Sequence, residues 1–84
     1  MSRKEEFKER VQRMADRNGL LTKVIDSTGA VEIYGQGNET VKVTASMASR
    51  PCRVVIHFAN GGVQTEPWML LEALCRNLAL GVVR

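Results

Sequence analysis

The sequence predicts an α+β domain: a four-stranded, mostly antiparallel sheet flanked by N-terminal and C-terminal helices, in the order α-β-β-β-β-α. Three observations carry this. Apolar residues recur with helical period near both ends of the chain. Between them, short runs alternate apolar and polar residues with period two. The connections between those runs are brief and contain Gly, Asn or Ser, which favours antiparallel neighbours over long crossovers.

The first helix starts at a capping-box pattern, Ser2 with Glu5 three residues later. It runs to about Arg17 and stops at Asn18-Gly19, with Leu20 placed to pack back. Three sectors separate around it. Phe7, Val11, Met14 and Ala15 form an apolar stripe, and Glu5, Glu9 and Asp16 an acidic strip opposite. Arg3, Arg10, Arg13 and Arg17 line a third side with Glu6 among them. Glu6–Arg10 and Glu9–Arg13 stand at the i,i+4 spacing of surface ion pairs.

Strands follow at Leu20 to Asp26, around Val31 to Tyr34, at Val41 to Ala45 and at Arg53 to Ala59. Ser27-Thr28-Gly29 and Gly35-Gln36-Gly37-Asn38 form turns, and Ser46 to Cys52 forms a loop with Pro51 near its end. Asn60-Gly61-Gly62 turns the chain again, and Val63-Gln64 extends the hairpin. Thr65 or Glu66 then caps the last helix, Pro67 occupies its first turn, and Gly81 ends it. Trp68, Leu70, Leu71, Leu74, Cys75, Leu78 and Ala79 fill about half of that helix's circumference. Glu72 and Arg76 make a polar wedge in i,i+4 order. The expected packing places both helices on one face of the sheet.

The 84 residues allow one domain spanning 1–84. A domain of this size buries only roughly 60% of its unfolded surface, so a partner chain is a natural source of added stability. Hydrophobic content of 44% and charged content of 25% indicate an ordinary folded chain. The net charge of +3 is well short of a dedicated nucleic-acid coat, yet it favours an acidic partner. Most of the excess lies between Arg3 and Arg17, with six bases against four acids. Two cysteines, Cys52 and Cys75, make no disulfide framework, and a lone histidine cannot complete a zinc site. No metal or cofactor is expected. The N-terminus has no apolar leader and no run is long enough to span a membrane, so the expected compartment is cytoplasmic.

No catalytic constellation emerges. His57 has no orienting acid or nucleophile near it in sequence. Cys52 lies between Arg50 and Arg53, surroundings that can activate a thiol, and a thiol enzyme is a third reading. Gly35-Gln36-Gly37-Asn38-Glu39-Thr40 lacks the third glycine and the following helix of a dinucleotide fingerprint. The acidic residues are scattered. The expectation is therefore a non-enzymatic interaction module. Its partner-binding candidates are Arg3, Arg10, Arg13, Arg17, Arg50 and Arg53. The partner is a protein with an acidic surface or a nucleic-acid channel; the alternative is direct nucleic-acid binding through the arginine face. Aromatics are too few for a base-stacking platform. Met69, Ala73 and Leu80 lie beyond the polar wedge of the last helix as surplus apolar surface, which predicts a homodimer.

The opening Phe7-Lys8-Glu9-Arg10-Val11-Gln12-Arg13-Met14-Ala15-Asp16-Arg17-Asn18-Gly19-Leu20, followed by strands and a helix, resembles a double-stranded-RNA-binding domain. That family grips phosphates with a lysine cluster at the start of its last helix. Those positions here are Glu66-Pro67-Trp68-Met69, so the resemblance does not carry the function with it. In size and lack of catalytic residues the chain is also similar to the small inhibitors that phages make against host defence complexes. No motif supports that likeness.

Overall fold

The computed structural model describes residues 2–25, 27–35, 38–58 and 60–80, the side chains of 38–41 excepted. The elements are α1 (Arg3–Arg17), β1 (Leu21–Ile25), β2 (Ala30–Gly35), β3 (Asn38–Met47), β4 (Arg53–His57), β5 (Val63–Pro67) and α2 (Trp68–Ala79). All neighbouring strands pair antiparallel, in the spatial order β1-β2-β3-β4-β5. The fold is the expected helix-flanked antiparallel sheet, with five strands instead of four.

Local chemistry sets the limits of α1. The Ser2 hydroxyl accepts the Glu5 backbone N–H at 3.2 Å, satisfying one of the donors a helix start leaves open. At the other end Gly19 takes φ +70°, its N–H donates to the Asp16 carbonyl, and the Leu20 N–H donates to that of Ala15. This is the Schellman closure, and it turns Leu20 into the core. The predicted apolar stripe of Phe7, Val11, Met14 and Ala15 is buried in full.

The register puts Val31, Ile33, Val43, Ala45, Val54 and Ile56 on one face of the sheet, and all six are buried. Both helices cover that face: α1 contacts β1, β2 and β3, while α2 contacts β2, β4 and β5. Trp68, Leu71 and Cys75 of α2 join the same core cluster, with Leu70, Leu74 and Leu78 partly buried against it. Ala79, expected in the apolar arc, is exposed. The opposite face stays open and carries the Lys42–Glu32 ion pair at 2.7 Å.

Other departures from the sequence expectation have physical causes. Thr65 and Glu66 are not helix caps; they belong to β5. That strand is exposed at every position but Glu66, so it shows no apolar alternation, and it forms because the backbone of β4 needs a partner on that side. As an edge strand it suits polar residues and a terminal proline. Pro67 occupies the N-cap of α2, and no side chain bonds to that cap. Strand β3 extends to Met47, absorbing two residues of the expected loop. The expected stop at Gly81 and the strand ends at Asp26 and Ala59 lie outside the described residues, as do Gln36 and Gly37 of the second turn.

Leu71 is fully buried between α2 and the sheet. Leu71→Ala is expected to lower unfolding free energy by about 2–5 kcal/mol, whereas Ser2→Ala costs about 0.5–2 kcal/mol through the lost cap. Urea denaturation of the two variants checks both values and their order.

Candidate functional site

A cleft of about 320 Å³ opens between α1, the β3–β4 loop and the start of α2. Arg3, Glu6, Phe7, Arg10 and Arg13 line it from α1, at spacings that share one helix face. The arginines of this row span roughly 15 Å along the axis. Arg50, Pro51 and Arg53 line it from the loop and the first residue of β4. Five of the six arginines singled out in the sequence therefore meet in one recess. Sequence alone left the placement of Arg50 and Arg53 relative to α1 undetermined. The antiparallel pairing of β3 with β4 brings them across from it.

The sixth arginine is elsewhere. Arg17 reaches Glu72 of α2 at 3.9 Å and lines an adjoining groove with Asp16, Met69 and Glu72, which shares Arg10, Arg13 and Trp68 with the cleft. Glu72 thus serves as a tie between the helices rather than pairing with Arg76.

Trp68 forms the third wall. Its ring lies under the Arg10 guanidinium, with Cζ 4.0 Å from the ring centroid. It packs tilted against Phe7 at 5.5 Å between centroids. Its indole N–H donates to the Pro51 carbonyl at 3.0 Å. The loop is closed beneath it by the Arg53 N–H donating to the Arg50 carbonyl at 3.1 Å. One side chain thereby fixes a guanidinium on one wall and the backbone of the other. The sequence showed Trp68 only as a member of an apolar arc. A signal was present in its position after a proline at a helix start, where the ring can face both core and rim.

Bases outnumber acids in the lining of the cleft. Five arginines and one acid, Glu6, line it, a local excess larger than the +3 of the whole chain. The i,i+4 pairs expected for Glu6–Arg10 and Glu9–Arg13 do not form. Among the described residues the ion pairs are Lys8–Glu5, Arg17–Glu72 and Lys42–Glu32. None uses an arginine of the cleft. Concentrating like charges in a recess focuses positive potential there and favours anions. Arginine forks suit carboxylates and phosphates, whose oxygens accept two N–H bonds at once.

The remaining candidates have different surroundings. His57 is exposed on the open face, with Nε2 3.5 Å from the Ser46 hydroxyl, at the outer limit of a hydrogen bond. Neither residue lines the cleft. Cys52 is exposed and Cys75 buried, both as free thiols. No cluster of three or more His, Cys, Asp or Glu suitable for a metal occurs among the described residues. No helix of the described residues is long and apolar enough to cross a membrane. Of the candidate dimer residues, Met69 is 79% and Leu80 77% exposed, while Ala73 is half-buried. No known protein family, no curated protein and no solved structure matches the chain.

Burial pushes the Cys75 thiol up to about 11 from its ordinary 9.0; the Glu72 carboxylate adds to the shift and Arg17 opposes it. The folded state therefore holds this proton longer than the unfolded chain does. The resulting stabilisation is complete below pH 9 and is lost as pH rises towards 11. The urea midpoint should fall through that window, and Cys75→Ala should remove part of the fall. At pH 8 an alkylating reagent should label Cys52 at once and Cys75 only on unfolding, read by mass spectrometry.

Proposed function

We propose that this chain is a non-enzymatic interaction module that receives an acidic segment of a partner protein in its arginine cleft. The observation that carries this reading is the convergence of Arg3, Arg10, Arg13, Arg50 and Arg53 on one recess without an ion-pair partner among the described residues. Apart from the stacking of Arg10 on Trp68, no internal contact among the described residues engages these charges, whereas an incoming carboxylate cluster would neutralise them. A protein segment suits the cleft better than nucleic acid does. The Trp68 ring is 9% exposed and already covered by Arg10, so bases have no aromatic face to stack on. The roughly 15 Å row of arginines is also short beside the 34 Å helical turn of a DNA duplex.

Fluorescence polarisation with a labelled oligoglutamate peptide tests the reading. Binding at low salt should weaken at least about tenfold in Arg50→Glu/Arg53→Glu, with circular dichroism unchanged, and should fall as salt screens the charges. Absence of binding at low salt would overturn the reading. Tighter binding of a single-stranded or duplex oligonucleotide of equal charge would replace it with direct nucleic-acid recognition.

The exposure of Met69 and Leu80 supports a second part of the reading, self-association through α2. Met69, Ala73, Arg76 and Leu80 follow one another at four-, three- and four-residue steps, the spacing of a single helix stripe. In a twofold pair with antiparallel helices, Met69 of one copy meets Leu80 of the other across the small Ala73. Sedimentation velocity should show a mass that rises with concentration, and Leu80→Lys should hold the chain monomeric. A wild-type chain that stays monomeric at high micromolar concentration would dispose of the dimer.

A further inference from the structure

Part of the cleft's lining is apolar, which charge alone leaves unexplained. Met47, Ala48 and Pro51 line it together with the arginines. Met47 is 42% exposed, one of the few large hydrophobic side chains so open to solvent. The register accounts for its position. Val43, Ala45 and Met47 point to the same face of β3, and Met47 pairs with Val54. Val43 and Ala45 are buried beneath the helices, but the row continues beyond them, and its last member emerges at the cleft beside Arg3 and Phe7. Pro51 is exposed and Ala48 half-buried next to it. The other large hydrophobics exposed among the described residues, Leu21, Val63, Met69 and Leu80, do not line this recess.

Resting on the reading of the cleft as a site for an acidic protein segment, we infer that the segment carries an apolar side chain flanked by carboxylates. The apolar group seats on Met47, Ala48 and Pro51 while the carboxylates take the guanidiniums around it. Charge complementarity fixes the acidic part of the partner. The exposed Met47 selects the apolar part, because a purely acidic chain would leave it wet. Methionine suits this role: it is unbranched and polarizable, and adapts to side chains of different shape. The arginine stems add further apolar surface around the seat while their charged heads stay in water. The recess of about 320 Å³ has room for a few side chains of a linear segment.

Three labelled peptides separate the contributions: an oligoglutamate, the same peptide with one leucine inserted at its centre, and a glutamine counterpart that keeps the leucine. Polarisation is measured on the wild type, Met47→Ala, Met47→Leu and Arg53→Glu. The leucine-bearing acidic peptide should bind about tenfold more tightly than oligoglutamate. Met47→Ala should erase that advantage, and Met47→Leu should retain it. Arg53→Glu should weaken both acidic peptides, and the glutamine peptide should bind weakly throughout. Equal affinity of the two acidic peptides for wild type would overturn the apolar seat and leave the acidic reading intact. Failure of both acidic peptides to bind at low salt, or binding of the glutamine peptide as tight as its acidic counterpart, would overturn both.

Discussion

The candidate site depends on one indole. Trp68 is the first residue of α2, and it touches Phe7 and Arg10 of α1 while its N–H holds the carbonyl of Pro51. Without that contact the β3–β4 loop would be tied only by the strand pairing at its base and the short turn from Arg50 to Arg53. With it, three separate elements share one fixed point, and the arginines they carry are gathered before any ligand arrives. A cation over a tryptophan face contributes about 0.5–2 kcal/mol, and a single neutral hydrogen bond about 1 kcal/mol. Those amounts are small beside the burial of the core, but they act where side chains would otherwise be free to disperse. Fixing a site in advance reduces the ordering cost that binding must overcome.

The hydrophobic core explains why the rest of the molecule can be so lopsided. Both helices lie on one face of the sheet, and one continuous cluster runs from Phe7 through Val31, Ile33 and Ile56 to Cys75. The other face is left to mixed side chains such as Lys42, Thr44, Ser46 and His57. A chain of 84 residues has enough apolar surface for one such layer. The cleft arises at the margin of that layer, where α1 and the sheet rows end out of step. Met47, the last residue of β3, and Arg53, the first of β4, both lie at that margin.

The sequence made the core legible wherever burial imposes a period. The stripe of α1, the alternation in β2, β3 and β4, and the caps at Ser2 and Gly19 all follow local rules that the structure obeys. Strand β5 was legible only as a hairpin extension at Val63-Gln64; its continuation through Thr65-Glu66-Pro67 was missed because an edge strand buries almost nothing and carries no apolar signature. Its existence is dictated by backbone hydrogen bonding to β4, which no side-chain pattern records. The site was half legible for a related reason. The arginines of α1 share a face by helical geometry alone, but their meeting with Arg50 and Arg53 depends on how strands distant from that helix are registered. Arg17 illustrates the limit: it stands on the predicted face, yet the position of α2 gives it to Glu72.

The crowding of guanidiniums also bears on the fold itself. Like charges held together repel, and no acid among the described residues except Glu6 shares their recess. The unfolded chain lets these groups separate, so the unliganded native state is disfavoured by keeping them close. Robustness and recognition therefore pull against each other at this corner of the molecule. Neutralising one of these arginines other than Arg10, which also packs on Trp68, would relieve that repulsion and yield a sturdier fold, the familiar exchange between stability and activity moved from an enzyme's active site to a candidate docking surface.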